Sequence, residues 1–202
     1  RKCRRTNMNS VQIKLGERSY EMRIGRGILD QLQVDLQEIF GSDRAMFVID
    51  ENVKPLLGET ICTSDSGQSV FTMFAEESSK TIETVEQIWT AMLDAGHDRA
   101  TPLVAIGGGI VGDVGGFAAA TFMRGVPLIQ VPTTLLAMVD ASIGGKTGVN
   151  TKRNRSDESA ILGKNLVGAF WQPTLVVADV AMLRSLDARQ LRCGLAECVK
   201  HA

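Results

Sequence analysis

The residues of this chain best placed to do chemistry are glycines. Gly107-Gly108-Gly109-Ile110-Val111-Gly112-Asp113 spells a G-x-G-x-x-G directly after the apolar run Leu103 to Ile106. That run, bounded by Pro102 and the glycine cluster, reads as a buried strand, and the Ala-rich segment Phe117 to Met123 that follows has helical composition. Strand, glycine turn and helix start in that order make a phosphate cradle, because phosphate oxygens can approach helix N-terminal N–H groups closely only where side chains are absent. Alone the motif is a weak signal, since glycine-rich turns also serve packing. Its usual companion is an acid roughly 20 residues further on, at the next strand end, for ribose hydroxyls. Here the next strand, Pro127 to Val131, ends in Pro132-Thr133-Thr134 instead, and the strand-end acid lies upstream in Val48-Ile49-Asp50-Glu51-Asn52.

Charged side chains in unusual settings come next. Lys146 follows two glycines and precedes a hydroxyl in Gly144-Gly145-Lys146-Thr147, a loop that resembles an anion cradle; a surface lysine in a turn is the other reading. Arg124 interrupts an apolar segment at a helix end, and a buried arginine there is either a structural ion pair or an anion clamp. Asp140 sits between Met138-Val139 and Ala141, and acids in apolar helices are usually paired or functional. Glu197 and His201 share a helix face at i, i+4, a metal-ligand spacing, with Lys200 between them. Only His97 and His201 exist, and His97 lies in a Gly-His-Asp turn with no periodic reason to approach the other. A closed metal site therefore cannot be assembled from this chain, and His201 reads as a surface histidine.

These residues must be positioned by alternating strands and helices. Val11–Leu15 and Tyr20–Ile24 alternate apolar and polar residues around Gly16-Glu17-Arg18, a β-hairpin. Ile28–Phe40 places Leu29, Leu32, Leu36, Ile39 and Phe40 on one helical face. Ala45–Ile49 and Val70–Phe74 are strands, with a short helix from Asn52 to near Gly58 between them. Thr81–Ala95 is an amphipathic helix carrying Ile82, Val85, Ile88, Trp89, Met92 and Leu93, closed by Gly96. Such alternation predicts an α/β fold with a mostly parallel, helix-covered sheet, whose ligands sit at the carboxyl ends of the strands. Asp50, Gly107 and Thr133 would then share one rim.

Further on, Thr134–Ala141 reads as helix and Leu175–Val180 as strand, while the charged run Lys152–Ile161 reads as a solvated loop ahead of Leu162–Trp171. Asp187 with Gln190 forms a capping box opening a last helix, with Leu191, Leu195, Cys198 and Val199 on or near one face at Ala202. An end in mid-helix suggests the first part of a larger protein. The expected organisation is a tag or upstream sequence over 1–7, a Rossmann-like nucleotide-binding domain over 8–186, and over 187–202 the first helix of a helical domain.

Composition narrows the function classes. Of 202 residues, 44% are hydrophobic, enough for a sizeable core and against disorder. With 22 basic and 23 acidic residues there is no case for nucleic acid or a membrane surface, and no uncharged apolar run is long enough to span a bilayer. Cys3, Cys62, Cys193 and Cys198 lack paired spacing, and no signal peptide is visible, which together point to a reducing, cytoplasmic setting.

Four ordered blocks, GGGIVGDVGGFAAATFMRG, VPTTLLAMVDASIGGKTGVN, LGKNLVGAFWQP and GLAECVKHA, resemble the 3-dehydroquinate synthase family, as do ERSYEMRIG and the E-x-x-K segment Glu77–Lys80. The resemblance covers nearly the whole chain from Met8. It implies a lyase of the shikimate pathway, which leads to chorismate and the aromatic amino acids, working with NAD and a divalent metal, zinc or cobalt. In that chemistry one hydroxyl of 3-deoxy-D-arabino-heptulosonate 7-phosphate is transiently oxidised at the expense of NAD. Phosphate leaves by elimination, the hydride returns, and ring opening with intramolecular aldol closure gives the carbocycle.

Carried over by motif, Asp50, Asn52, Glu77 and Lys80 would meet the adenosine ribose end of NAD. Gly108, Gly109, Ile110, Val111, Gly112 and Asp113 would hold the pyrophosphate region, with Thr133 and Thr134 near the nicotinamide half. Lys146, Lys164, Met182, Leu183, Arg184 and Ser185 complete the implied cofactor site. Arg124, Asp140, Lys146, Asn165, Glu197 and Lys200 match catalytic or substrate positions, and the implied assembly is a homodimer with Arg124 reaching the partner subunit's site. Glu197 matches the metal ligand of this half, with two histidine ligands expected outside the chain.

Several positions depart from the family pattern. Lys152–Ile161 stands where one proline is usual, Glu76 replaces glycine, Ser185 threonine and Asp187 proline, while His201 falls at a variable position. Without the later domain the chain alone is expected to bind NAD weakly and turn over nothing. The alternatives are another sugar-phosphate cyclase, making a valiolone or an inosose, a metal-dependent polyol dehydrogenase, or a non-catalytic NAD-binding module.

Overall fold

The computed structural model describes residues 8–57, 67–153 and 161–202. A seven-stranded sheet runs in the order β1-β2-β9-β6-β5-β3-β4, built from β1 (Met8–Ile13), β2 (Tyr20–Gly25), β3 (Met46–Asp50), β4 (Ser69–Met73), β5 (Leu103–Gly107), β6 (Leu128–Pro132) and β9 (Leu175–Asp179). Only β1 is antiparallel to its neighbour; every other pairing is parallel. This is the expected α/β, Rossmann-like sheet with its N-terminal hairpin.

The apolar runs of β3, β5, β6 and β9 follow from burial on both faces, which removes the polar alternation of a half-exposed strand. Alternate residues then serve two cores. Phe47, Ile49, Val104, Ile106, Ile129 and Val131 pack with Leu32 and Leu36 of α1 (Leu32–Phe40). Met46, Val48, Leu103, Ala105 and Leu128 pack with Val85, Ile88 and Met92 of α2 (Ile82–Asp94), and with Val114 and Ala118 of α3 (Gly109–Thr121). Thr81 caps α2 by accepting from the Thr84 N–H, and Gly96 follows it with φ 64°. Among the described residues no helix is long and apolar enough to cross a membrane.

A second, two-stranded antiparallel sheet pairs β7 (Lys146–Arg153) with β8 (Ile161–Phe170). Helix α3 is clamped between the two sheets. A Cβ on Gly115 would lie 3.1 Å from Ala105 Cβ in the main sheet, and one on Gly116 would lie 2.5 Å from Thr147 Cγ2 in the hairpin. A helix covered on opposite sides must be small and apolar all round, which explains its Gly/Ala composition.

Several expectations are corrected. The helix after the glycine turn starts at Gly109 rather than near Phe117, because the glycines form its first turn, and it ends before the left-handed Met123. Ile39, Ile82, Leu93, Leu195 and Val199 are exposed rather than core-facing. The segment Thr134–Ala141 becomes a π-helix over Ala137–Ala141, with the Ser142 N–H donating to the Ala137 carbonyl at 3.0 Å. Lys152 and Arg153 extend β7 and Ile161 opens β8, so the ends of the supposed loop are strand; its residues 154–160 lie outside the described residues. The last helix, α4 (Ala188–His201), begins at Asp187, whose Oδ1 accepts from the Arg189 and Gln190 N–H groups at 2.8 Å.

Candidate functional site

The carboxyl ends of β3, β5 and β6 open into one cavity of about 670 Å³, and Asp50, Gly108, Gly109 and Thr133 line it as the rim expectation requires. Gly108 sits at the N-cap of α3 without a side-chain cap, and the first intrahelical bond is Gly112 N–H to the Gly108 carbonyl at 3.1 Å. The N–H groups of the first turn are the orphan donors that every helix start presents. The floor is shaped by absent side chains: a Cβ on Gly108 would lie 3.1 Å from Thr134 Cγ2, and one on Gly109 would lie 3.3 Å from Ala141 Cβ. These are the features a pyrophosphate needs, open donors and close backbone approach.

At the far side Asp50, 8% exposed, accepts from the Asn52 N–H at 3.0 Å and from Asn52 Nδ2 at 3.2 Å. Its carboxylate is thereby fixed at the cavity wall, and a carboxylate there suits a diol. Thr133 is held by its N–H donating to the Gly107 carbonyl, and Thr134 Oγ1 accepts from the Ala137 N–H at 3.1 Å. Ile110 lines the cavity, whereas Val111 is buried in the core and Gly112 abuts the Gln130 side chain, so these two offer backbone only. Ser185 lines the cavity as well; Met182 is core, Leu183 packs on the cluster beneath β2, and Arg184 is exposed. Arg189, Gln190 and Cys193 of α4 complete the wall. Their residue types carried no warning of this; the only usable signal was the Asp187 cap, which fixes where the first turn of α4 begins.

Glu77 and Lys80 do not join Asp50 and Asn52 in lining this cavity. Lys80 is 5% exposed, and its ammonium donates to both Asp113 and Asn165, tying the loop before α2 to α3 and to β8. Burial raises the Asp113 pKa, opposed by the bond from Lys80. Glu77 accepts from Asn150 Nδ2 at 2.8 Å and pairs with the exposed Lys164 at 3.3 Å; the Asn150 bond is the main cause of its lowered pKa. Asn150 sits at the register shift of β7, and its Oδ1 accepts from the N–H of Asn165, which itself holds φ 55°. A strained residue held by side-chain bonds on both sides is typical of a binding site.

A second cavity, about 440 Å³, lies on the hairpin side and brings together Asp113, Asp140, Lys146 and Asn165. Lys146 is exposed at the start of β7, after Gly144 and Gly145 at φ 84° and 66°, a setting that fits either of its two readings. Glu197 and Lys200 lie close by at the end of α4, bonded to each other at 2.6 Å; that bond lowers the Glu197 pKa and raises that of Lys200. His201 is exposed at the end of α4, as expected, beside a carboxylate. Its Nε2 lies 3.0 Å from Glu197 Oε1, and the ligand atoms of Asp140, Glu197 and His201 all fall within 4.8 Å of one another. Arg124 is exposed rather than buried, on a turn where Met123, Arg124 and Gly125 have φ of 47°, 70° and 119°.

The family model described as 3-dehydroquinate synthase N-terminal matches residues 70–193. The chain belongs to the 3-dehydroquinate synthase family. It is 46% identical over 194 residues to the 3-dehydroquinate synthase of Halorhodospira halophila, covering 96% of this chain and 52% of that protein. The Pseudomonas fluorescens (strain Pf0-1) synthase is 45% identical over 196 residues, with 96% and 51% covered. The chain thus spans about half the length of the curated relatives it matches. Among solved structures, 2-deoxy-scyllo-inosose synthase complexed with carbaglucose-6-phosphate, NAD+ and Co2+ superposes with a TM-score of 0.79 at 29% identity, over 95% of this chain and 51% of that one. The 2-epi-5-epi-valiolone synthase of Streptomyces hygroscopicus subsp. jinggangensis, with NAD+ and Zn2+ bound, gives 0.75 at 35% identity, over 92% and 49%. A probable glycerol dehydrogenase from Sinorhizobium meliloti, at 22% identity and a TM-score of 0.57, shares the fold alone.

Proposed function

We propose that the chain supplies the cofactor half, and part of the substrate site, of an enzyme that converts 3-deoxy-D-arabino-heptulosonate 7-phosphate to 3-dehydroquinate and phosphate. The observation that carries this reading is the adjacency of two cavities across α3. A phosphate cradle with the diol-binding Asp50 lies on one side, and Asp113, Asp140, Lys146 and Asn165 lie on the other. Family membership makes a sugar-phosphate cyclase the natural occupant of that geometry, and the 46% identity to a dehydroquinate synthase outweighs the 29% to an inosose synthase.

In this reading bound NAD would supply a hydride acceptor and donor, and a bound divalent metal would supply Lewis-acid polarisation of the oxygen on the carbon being oxidised. The chain's own groups do the rest. The first-turn N–H groups of α3 and Gly108–Gly109 hold the pyrophosphate, and Asp50 with Asn52 fixes the adenosine ribose. Thr133 and Thr134 border the path toward the second cavity. Lys146 meets anionic oxygens of the substrate, and Asn165, held in its left-handed conformation by Lys80 and Asn150, presents its amide to substrate hydroxyls. Asp140 and Lys200 face the same region and are candidates for moving or holding a proton there. Glu197 offers zinc or cobalt a carboxylate ligand from this chain. Arg124, exposed on a strained turn, is presented away from its own chain, as an arginine completing a second subunit's site in a homodimer would be.

The test is calorimetric titration with NAD beside a phosphate-release assay with the heptulosonate phosphate, zinc and NAD. Heat and a raised melting temperature with NAD are expected, and phosphate release only when the remainder of the enzyme is supplied. Absence of both heat and melting shift overturns the reading. Release from glucose 6-phosphate rather than the heptulosonate would move the assignment to an inosose-type cyclase.

A further inference from the structure

We propose that Asn150 is a positioning residue for the hairpin-side cavity, its buried side chain holding a bulge of β8 in the shape that carries Asn165 to a ligand. The inference rests on the cyclase reading above and deepens it, since Asn150 acts on the substrate only through Asn165.

The ladder between β7 and β8 breaks at this residue. Val149 pairs with Val167 and Thr151 with Gly163, so Asn150 alone stands opposite Lys164, Asn165 and Leu166. Such a bulge re-aims side chains, and bulges recur beside active sites for that reason. Asn165, the middle residue, has φ 55°, and Asn165 and Leu166 both line the cavity. A bulged segment forfeits ladder hydrogen bonds, so other groups must hold it.

Asn150, 5% exposed, supplies them. Its N–H donates to the Lys80 carbonyl at 2.8 Å. Its Oδ1 accepts from the Asn165 N–H at 3.1 Å, and its Nδ2 donates to Glu77 Oε1 at 2.8 Å. One residue thus ties the loop before α2 to the bulge. Lys80 adds a second tie, its ammonium donating to Asn165 Oδ1. An ammonium only donates, so the oxygen of the Asn165 amide is the end facing Lys80, and its NH2 is the end available to a ligand. Two buried residues therefore fix the backbone and the side chain of an exposed one.

Only a carboxamide meets both demands at position 150. It accepts toward Asn165 and donates toward Glu77. A carboxylate would accept toward Asn165 but meet Glu77 as a like charge, and an apolar side chain would do neither. Asn150, Glu77, Lys80 and Asn165 are all absent from the lining of the cofactor cradle. Loss of the Asn150 amide should therefore be felt in one cavity and not in the other.

The test uses the chain joined to the remainder of the enzyme, with Asn150→Ala, Asn150→Asp, and Asn150→Asp combined with Glu77→Gln. Asn150→Ala is expected to raise KM for the heptulosonate phosphate roughly tenfold, the scale of one lost hydrogen bond, and to leave the NAD dissociation constant unchanged. Asn150→Asp should behave likewise. Adding Glu77→Gln restores a donor opposite the new carboxylate and should recover most of the loss. A purely structural role would lower the urea midpoint without this split between the two ligands and without rescue. Should Asn150→Ala fail to fold, Asn150→Asp with and without Glu77→Gln carries the same comparison. Amide hydrogen exchange adds a readout free of turnover: the Asn165 N–H should exchange about tenfold faster or more in Asn150→Ala and return toward the wild-type rate in the rescued pair. An unchanged KM in Asn150→Ala, an equal loss of NAD affinity, or failure of the rescue overturns the inference. If wild type turns over no heptulosonate phosphate, the cyclase reading fails, and the exchange rate of the Asn165 N–H then decides by itself whether Asn150 holds the bulge.

Discussion

The two cavities flanking α3 are built in opposite ways. The cradle at the strand ends is made of main chain and buried groups: Gly108, Gly109, Thr133 at 4% exposed and Asp50 at 8% exposed. The hairpin-side cavity is made of long, exposed side chains, Lys146, Asn165 and Asp140, standing on a π-helix and a two-stranded sheet. A cradle of main chain is preorganised as soon as the sheet forms. The other cavity is poised to adapt as it fills. The difference matches the division of labour proposed here, one cavity holding a cofactor throughout and the other handling intermediates that change shape.

A buried join within the hairpin-side cavity is Lys80, whose ammonium reaches Asp113 on α3 and Asn165 on β8, both of which line it. Lys80→Met should therefore have the largest effect, because Asp113 would be left a partly buried, unpaired carboxylate. A loss of about 3–5 kcal/mol is expected for breaking one side of such a pair, read from urea unfolding. Lys80→Met combined with Asp113→Leu should recover part of it; no recovery would mean the pair is not the join. Next, Asp50→Ala should weaken NAD binding about 10- to 100-fold, the range for a charge-assisted bond worth roughly 1.5–3 kcal/mol. Because Asp50 belongs to the cradle alone, the same substitution should leave the geometry of the hairpin-side cavity unchanged, and a change would break the separation drawn above.

Gly194→Ala probes the seat of α4, whose first turns wall the cradle. Its Cβ would collide with Leu135 and the Leu136 nitrogen, and overpacking of this kind costs about 1–3 kcal/mol. NAD affinity should fall several-fold in calorimetry. The smallest effect concerns His97, far from both sites. It is 3% exposed, hydrogen-bonded to Ser69 with Nδ1 unpartnered, and burial lowers its pKa from 6.5. The folded state then binds fewer protons than the unfolded chain, so stability is full above about pH 6.5 and declines as pH falls toward the depressed value. Urea midpoints for His97→Asn should vary less with pH across that window, with NAD affinity unaffected.

Legibility from sequence follows the same division. β3, β5, β6 and β9 were readable because burial on both faces writes an uninterrupted apolar run. The cradle was readable because only glycine permits its close approaches. The β7–β8 hairpin was not, since Gly148, Gly163 and Gly168 look like turn residues. Gly148 and Gly168 are required instead by strand contact: a Cβ on Gly168 would lie 2.0 Å from the Thr147 carbonyl oxygen. The charged run Lys152–Ile161 concealed the strand ends further. Lys80 was legible as a functional lysine but not as a buried tether, because its partners are 33 and 85 residues away. The exposed Leu195 and Val199 show the converse failure, where apolar periodicity marks a face without saying that it is covered.

Helix α4 has fourteen residues, from Ala188 to His201, which at about 1.5 Å per residue makes a rod roughly 20 Å long. Its first turn lines the cavity at the strand ends, and its last turn carries Glu197 and His201. Because Gly194 lets α4 rest on Leu135 and the Leu136 nitrogen, the helix that walls the cradle and the segment that leads to Asp140 are packed as one piece.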